Sequence, residues 1–198
     1  MYKLCKTEQS ASRQREVEEQ FLSLIEIKNY DEITVSELCT RVGMPRKAFY
    51  RYFETKEDII LALIDHTISG YEAFARERAK TPKRTVTSEL EMFFSFWLSD
   101  RPRRVLSAII KQSLEGFLIQ RSISFSRTEM TNLSHFMSSD AESATHLFRF
   151  VITGLMSTML SWFVEGCRES TFEMARITQR LVTQPLFPNL ETYGISRE

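Results

Sequence analysis

Apolar positions along this chain recur at three- and four-residue intervals, and its β-branched residues do not gather into alternating runs. The pattern predicts helices and no sheet. The first stripe, Val17, Phe21, Leu24 and Ile25, predicts a helix over about 13–28, with Asn29 as its terminator because Asn tolerates the left-handed conformation. Tyr30 and Ile33 should then pack back onto the bundle. Val35, Leu38, Cys39 and Val42 fall at i, i+3, i+4 and i+7 and predict a second helix. Thr34 and Glu37 stand at capping-box spacing at its start, and Gly43 closes it. Pro45 suits an early position in a third helix, which carries Ala48, Phe49, Tyr52 and Phe53, with Arg46, Lys47, Tyr50 and Arg51 between them. A fourth begins near Lys56 with Thr55 as N-cap and Glu57 and Asp58 in its first turn, where the helix dipole favours acids, and it continues past Gly70 to about Arg78.

The polar segment 79–87 is the best loop in the middle of the chain. A helix follows over about 88–98, then another that starts around Pro102 and runs to about Leu114, with Gly116 as its end. From there to Met137 the helical pattern is blurred by Ser and Thr, and a break is expected near 122–126. Ser139 and Glu142 form a second capping-box pair, ahead of a helix reaching Val164 or Glu165 and closed by Gly166. Ser170 and Glu173 form a third, opening a last helix to about Val182; Pro185 and Pro188 prevent its continuation, and the tail from Asn189 is expected to be loose. The total is about nine helices.

Two helices joined by a glycine turn are most often plain core. The second helix of this pair argues for more. Between Arg41 and Lys56 stand Arg41, Arg46, Lys47, Arg51 and Lys56 against the single acid Glu54, while the whole chain balances 26 basic against 26 acidic residues. A positive patch on a neutral protein is what phosphate contact needs. Cys39, four residues before Gly43, is small enough to let two helices cross closely. This is the layout of a helix-turn-helix, whose second helix enters the DNA major groove.

The segments NYDEITVSELCTRVG and FYRYFETKEDII, within residues 13–65, resemble the DNA-binding domain of the tetracycline-repressor-like (TetR) regulators. The resemblance implies an all-α fold, with an N-terminal three-helix helix-turn-helix domain over 10–56 and a C-terminal helical bundle for dimerisation and effector binding over 57–198. It also implies that Tyr50, Tyr52 and Lys56 touch DNA, and that the last two helices of each subunit form a four-helix interface. The sequence departs from the family's usual Ser or Thr at Pro45, small residue at Lys47 and small hydroxyl at Ala48, which leaves the operator sequence open. From the residues themselves, Arg46, Lys47 and Arg51 are the candidates for base edges or nearby phosphates, since Arg and Lys pair well with guanine. Tyr50 would pack on a thymine methyl or bond a phosphate, and Thr34, Tyr52 and Lys56 would clamp the backbone.

One such motif contacts few base pairs, so a homodimer on a palindromic double-stranded operator is the physical expectation. In the apolar stretch 147–164, Gly154, Ser157, Thr158 and Ser161 make a small-residue strip flanked by Phe150 and Trp162, a surface another helix could approach. Internal core is the plainer alternative. Arg149 and several Ser and Thr interrupt this stretch and argue against a membrane span. Phe93, Phe96, Trp97, Ile110, Leu114 and Phe117 are the candidates for the pocket of a small hydrophobic or amphipathic effector, with Met92 and Phe125 adding apolar surface; each is individually more often core. His66, Gln112, Glu115, Arg121 and His135 are candidate polar contacts.

Fifteen Phe imply bulky aromatic packing, and six Gly with five Pro suit long helices with short connections. Three widely spaced cysteines (Cys5, Cys39, Cys167) and a polar N-terminus without a signal segment point to a reducing cytoplasm without disulfides. No zinc spacing, phosphate loop or nucleophile elbow is present, and Cys39 sits on an apolar helical face, so neither an enzyme nor a cofactor is expected. The expectation is a ligand-responsive repressor. Two alternatives are a ligand-independent architectural DNA-binding protein and a helical interaction module that has lost DNA binding.

Overall fold

A computed structural model describes residues 2, 3, 5, 7–78, 84–129 and 141–183, and among them it contains helices and turns and no strand. Nine α-helices follow in order among the described residues: α1 (Glu8–Ile25), α2 (Val35–Val42), α3 (Arg46–Phe49), α4 (Glu57–Arg78), α5 (Val86–Trp97), α6 (Asp100–Lys111), α7 (Glu115–Glu129), α8 (Ala141–Val164) and α9 (Thr171–Thr183). A 3-10 turn, Tyr30–Glu32, stands between α1 and α2.

α1 opens earlier than its apolar stripe suggests because Thr7 caps it, the hydroxyl accepting the Ser10 N–H at 3.2 Å. It also ends earlier. Asn29 is extended (φ −68°, ψ 143°) and leads into the 3-10 turn instead of forming a left-handed terminator. The carbonyls at this end have partners from elsewhere. Gln112 Nε2 donates to Ile25 O and Lys28 O at 3.0 and 3.1 Å, and Lys111 Nζ to Glu26 O at 2.7 Å. Gly116 also differs from expectation, lying inside the first turn of α7. The left-handed residue after α6 is Ser113 (φ 55°), and the Leu114 N–H returns to Ile109 O at 3.0 Å, which closes the helix. The break expected at 122–126 is absent. α7 runs through it, and the Ser122 and Ser124 hydroxyls fold onto the carbonyls of Leu118 and Gln120 at 2.8 and 3.0 Å.

The predicted box at Ser170 and Glu173 forms in both directions, with N–H donation at 2.8 and 3.2 Å. A box that the apolar pattern does not announce opens α5 at Thr85 and Ser88. Ser139 of the other predicted pair, residues 79–83 of the predicted loop, Pro185, Pro188 and the tail from Asn189 lie outside the described residues.

Buried apolar residues from Val17 to Ala175 form one connected cluster. α4 packs on α1, α5, α6 and α7; α7 also meets α8, and α9 lies along α5. The abundance of aromatic residues is used here. Tyr71 and Phe74 of α4, Phe93, Phe94, Phe96 and Trp97 of α5, and Trp162 of α8 meet edge to face at centroid distances from 5.3 to 6.1 Å. The segment His146–Val164 is long and apolar enough to cross a membrane by length and composition. Within α8 its Ile152, Leu155, Met156, Met159 and Trp162 are buried in this cluster.

Candidate nucleic-acid interface

The N-terminal corner is assembled by short polar links around buried apolar residues. Thr34 caps α2, its hydroxyl accepting the Glu37 N–H at 3.1 Å. The Glu37 carboxylate takes Lys28 Nζ at 2.7 Å, fastening the chain after α1 to the first turn of α2. That hydrogen bond, helped by the Thr34 backbone N–H, holds the Glu37 carboxyl below its ordinary range. Leu38, Cys39 and Val42 are buried. Burial pushes the Cys39 thiol up, leaving it a protonated core group at neutral pH. Gly43 takes φ 65°, ψ 40°, and the Met44 N–H returns to Cys39 O at 2.9 Å, which turns the chain sharply into α3.

α3 is a single turn, shorter than the helix expected over 46–52, but hydrogen bonding continues past it. Tyr52 N–H donates to Phe49 O at 2.9 Å and Phe53 N–H to the same carbonyl at 3.2 Å. Phe49 and Phe53 are fully buried and set the rotation of the turn. Arg46, Lys47, Tyr50 and Arg51 are therefore exposed together, with Arg41 of α2 also exposed. Tyr50 is 43% exposed, its ring edge-on to Phe49 and its hydroxyl 3.4 Å from Arg46 Nη2. No acidic residue occurs from 41 to 53, so this surface is cationic. Thr34 is exposed at the start of α2, and Tyr52 is half-buried against the core.

Lys56 is engaged by the protein itself. Its Nζ donates to Tyr30 O at 2.9 Å and to Asp31 O and Ile33 O at 3.4 Å, and lies 4.1 Å from the Tyr30 ring centroid. It braces the 3-10 turn against the start of α4. There Thr55 and Asp58 cap reciprocally, the Asp58 N–H meeting Thr55 Oγ1 at 3.3 Å and Asp58 Oδ2 accepting the Thr55 N–H at 3.2 Å.

The other candidate residues are dispersed. Phe93, Phe96 and Trp97 are buried in the aromatic cluster, Ile110 and Leu114 are half-buried, and Phe117 is exposed. Three of the candidate polar contacts serve the fold. His66 Nδ1 lies 2.9 Å from the buried Glu18 carboxylate, Gln112 also accepts the Tyr30 N–H at 2.8 Å, and Arg121 pairs with Asp65. His135 and the side chain of Phe125 lie outside the described residues. On α8, Gly154, Ser157 and Ser161 are exposed and Thr158 is half-buried, while Trp162 packs inward on Phe94. Trp162 forms part of a groove of about 380 Å³ lined also by Ser157, Thr158, Ser161, Glu165, Glu169, Met174 and Ile177.

Two contributions to the shape of this corner have no signal in local pattern. Lys3 lies against the end of the turn that carries Tyr50, and Gln112 joins α6 to the end of α1. Both depend on partners more than forty residues away, beyond the reach of periodicity.

A capped helix, a left-handed glycine turn and a second helical turn with an exposed cationic face define a helix-turn-helix protein of the DNA-binding kind. The family model described as "Bacterial regulatory proteins, tetR family" matches residues 22–63, and a second, "Transcriptional regulator C-terminal region", matches 100–184. The chain belongs to the TetR family of transcriptional regulators. It is 34% identical over 97 residues to the HTH-type transcriptional regulator EthR of Mycolicibacterium smegmatis; the match spans 46% of this chain and 45% of that one, so under half of the relative is covered. In fold it is similar to the fatty acid degradation regulator FadR from Bacillus halodurans (14% identity, TM-score 0.55, 86% and 94% of the two chains). The same holds for the dihydroxyacetone kinase operon activator DhaS (14%, 0.54, 86% and 93%) and a tetR-family regulator from Streptomyces coelicolor (20%, 0.51, 85% and 78%). The family and these relatives are transcriptional regulators and not enzymes.

Proposed function

We propose that this protein is a cytoplasmic, ligand-responsive homodimeric repressor that binds a palindromic operator. The observation that carries the DNA half of this reading is the joint exposure of Arg46, Lys47, Tyr50 and Arg51 in a segment, 41–53, without acids. In this reading Arg46, Lys47 and Arg51 meet base edges and neighbouring phosphates, and Tyr50 a thymine methyl or a phosphate. Thr34 and Tyr52 hold the flanking backbone, and Lys56 keeps the corner in shape.

The outer face of α8 supports the dimer. Leu147, Phe150, Gly154, Ser157, Ser161 and Val164 follow one another at alternating steps of three and four, and all are exposed. That is the spacing of a narrow helix-pairing seam. Leu147, Phe150 and Val164 there, with Phe172, Leu181 and Val182 of α9, are six of the nine exposed large apolar residues described, a concentration that marks an interface. A second copy seated on α8 and α9 would place two reading turns in successive major grooves, about 34 Å apart, so that a small displacement of α4 by an effector loses one half-site. Val164→Glu should give a monomer in sedimentation, with operator affinity lost and helicity kept. A dimer unchanged by this substitution would remove α8 from the interface.

The direct test selects duplexes from a random-sequence pool with the purified chain, alongside DNA from upstream of its gene, and follows binding across a salt series. Specific binding whose log K falls by about 0.9 per phosphate contact per unit of log salt is expected. Binding that ignores sequence would favour the architectural reading, and none at low salt would favour an interaction module. The burial of Phe93, Phe96 and Trp97 in the core favours a second reading, a regulator that needs no ligand. Thermal stabilisation by members of a panel of amphipathic compounds would sink that one.

A further inference from the structure

Lys3 lies across the open end of the reading turn. The Lys3 N–H donates to Tyr52 O at 2.9 Å, and Lys3 Nζ to Tyr50 O at 3.2 Å. The buried Gln14 of α1 fixes the same segment from behind. Its Nε2 donates to Lys3 O at 3.1 Å and its Oε1 accepts from the Cys5 thiol at 3.3 Å. One residue before Lys3, Tyr2 Oη donates to Asp65 Oδ2 on α4 at 2.7 Å, and the Tyr2 ring stands edge-on to His66. Asp65 is 4% exposed, and its carboxylate accepts from Arg121 of α7 through Nε at 2.6 Å and through Nη2. The contacts form an unbroken line from Arg121 through Asp65, Tyr2 and Lys3 to the carbonyls of Tyr50 and Tyr52.

A single helical turn does not sustain itself, because nucleation is unfavourable and its last carbonyls have no partner within the helix. Lys3 gives two donors to the carbonyls of Tyr50 and Tyr52, just past α3. Tyr2 in turn fastens Lys3 to a half-buried ion pair between α4 and α7.

We propose that Tyr2 and Lys3 are positioning residues for DNA reading, holding the carbonyl end of the turn that carries Tyr50 and tying it to the Asp65–Arg121 pair of α4 and α7. The set of α7 against α4 then reaches Tyr50 by a path that does not pass through residues 53–56. The proposal rests on the DNA-binding reading above.

The test uses the full chain with Tyr2→Phe, which removes one hydroxyl and no charge, and Lys3→Met, which keeps the side-chain stem. Binding is measured across a salt series to a duplex selected from a random pool by the wild type and to an unrelated duplex of equal length. Amide exchange is followed at 46–53. Each variant should bind the selected duplex about 3- to 10-fold more weakly, the effect of one hydrogen bond. The salt slope and the affinity for the unrelated duplex should stay unchanged, and 46–53 should exchange faster. Tyr2→Phe with wild-type affinity and wild-type exchange overturns the proposal. Lys3→Met with a slope smaller by about 0.9 makes Lys3 a phosphate ligand and overturns its positioning role. Tyr50→Ala separates the two ideas. If it binds as wild type, or no duplex is ever selected, the DNA reading has failed, and exchange at 46–53 in Tyr2→Phe still decides whether the segment holds the turn.

Discussion

α3 and α8 are opposite solutions to the same problem of fixing a helix. α8 spans 24 residues and buries Ile152, Leu155, Met156, Met159 and Trp162 along one side, so among its described side chains apolar packing sets its place. α3 spans 4 residues and buries only Phe49. Phe49 and Phe53 set its rotation, and polar contacts brought from a distance brace the corner around it: Lys3 on the carbonyls of Tyr50 and Tyr52, Lys56 on the 3-10 turn, Gln112 on the end of α1. A surface that must fit a groove gains from this, since hydrogen bonds fix direction where apolar contact fixes only proximity. It also means that the two regions should respond differently to substitution.

Phe94→Ala should be the most damaging change. Phe94 is fully buried on α5 between Phe93 and Trp162, and loss of a buried Phe costs about 3–5 kcal/mol. Because the buried residues form one connected cluster, the melting temperature of the whole chain should fall in a single transition. Two separate transitions in calorimetry would show instead that the corner holds independently of the aromatic cluster.

Gln112→Ala should act the other way, loosening the corner more than the bundle. It leaves the Tyr30 N–H and the carbonyls of Ile25 and Lys28 without their partner, a loss of about 1–3 kcal/mol. Amide exchange should rise at the end of α1 and through 30–42, with α5 and α8 little changed. Uniformly faster exchange would mean that Gln112 contributes only to global stability. Thr34→Ala should cost about 1 kcal/mol, the usual value of a lost N-cap, visible as fraying of α2.

How much of this was legible in sequence follows from what each element relies on. The capped starts at Thr34 and Ser170, the left-handed Gly43 and Gly166, and the exposed cations around Tyr50 are local facts written within four or five residues. They could be read directly. The early end of α1 and the closing of α6 at Ser113 could not, because the deciding partners come from helices far along the chain, and Ser113 carries no glycine to announce its left-handed turn. Phe93, Phe96 and Trp97 illustrate another limit. Periodicity marks an aromatic as inward-facing but cannot say whether it meets a ligand or another ring, and here the rings meet each other.

The smallest effect expected concerns pH and tests the polar side of the comparison alone. Lys28 and the Thr34 N–H hold the Glu37 carboxyl below its ordinary range. A carboxyl depressed in the folded state adds stability above its unfolded value, about pH 4.3, and that contribution disappears as pH falls through the folded value. Glu37 is solvent-facing, so screening keeps the effect slight. Glu37→Gln should therefore reduce the loss of α2 protection on acidification without altering its neutral-pH melting by much. α8 has no such carboxyl among its described inward-facing residues, so its exchange should not follow the same titration. If α2 and α8 lose protection together as pH falls, with the same midpoint in wild type and Glu37→Gln, the link from Lys28 to Glu37 does not set the corner. The apolar contacts of Leu38, Cys39 and Val42 would then hold α2 as packing holds α8.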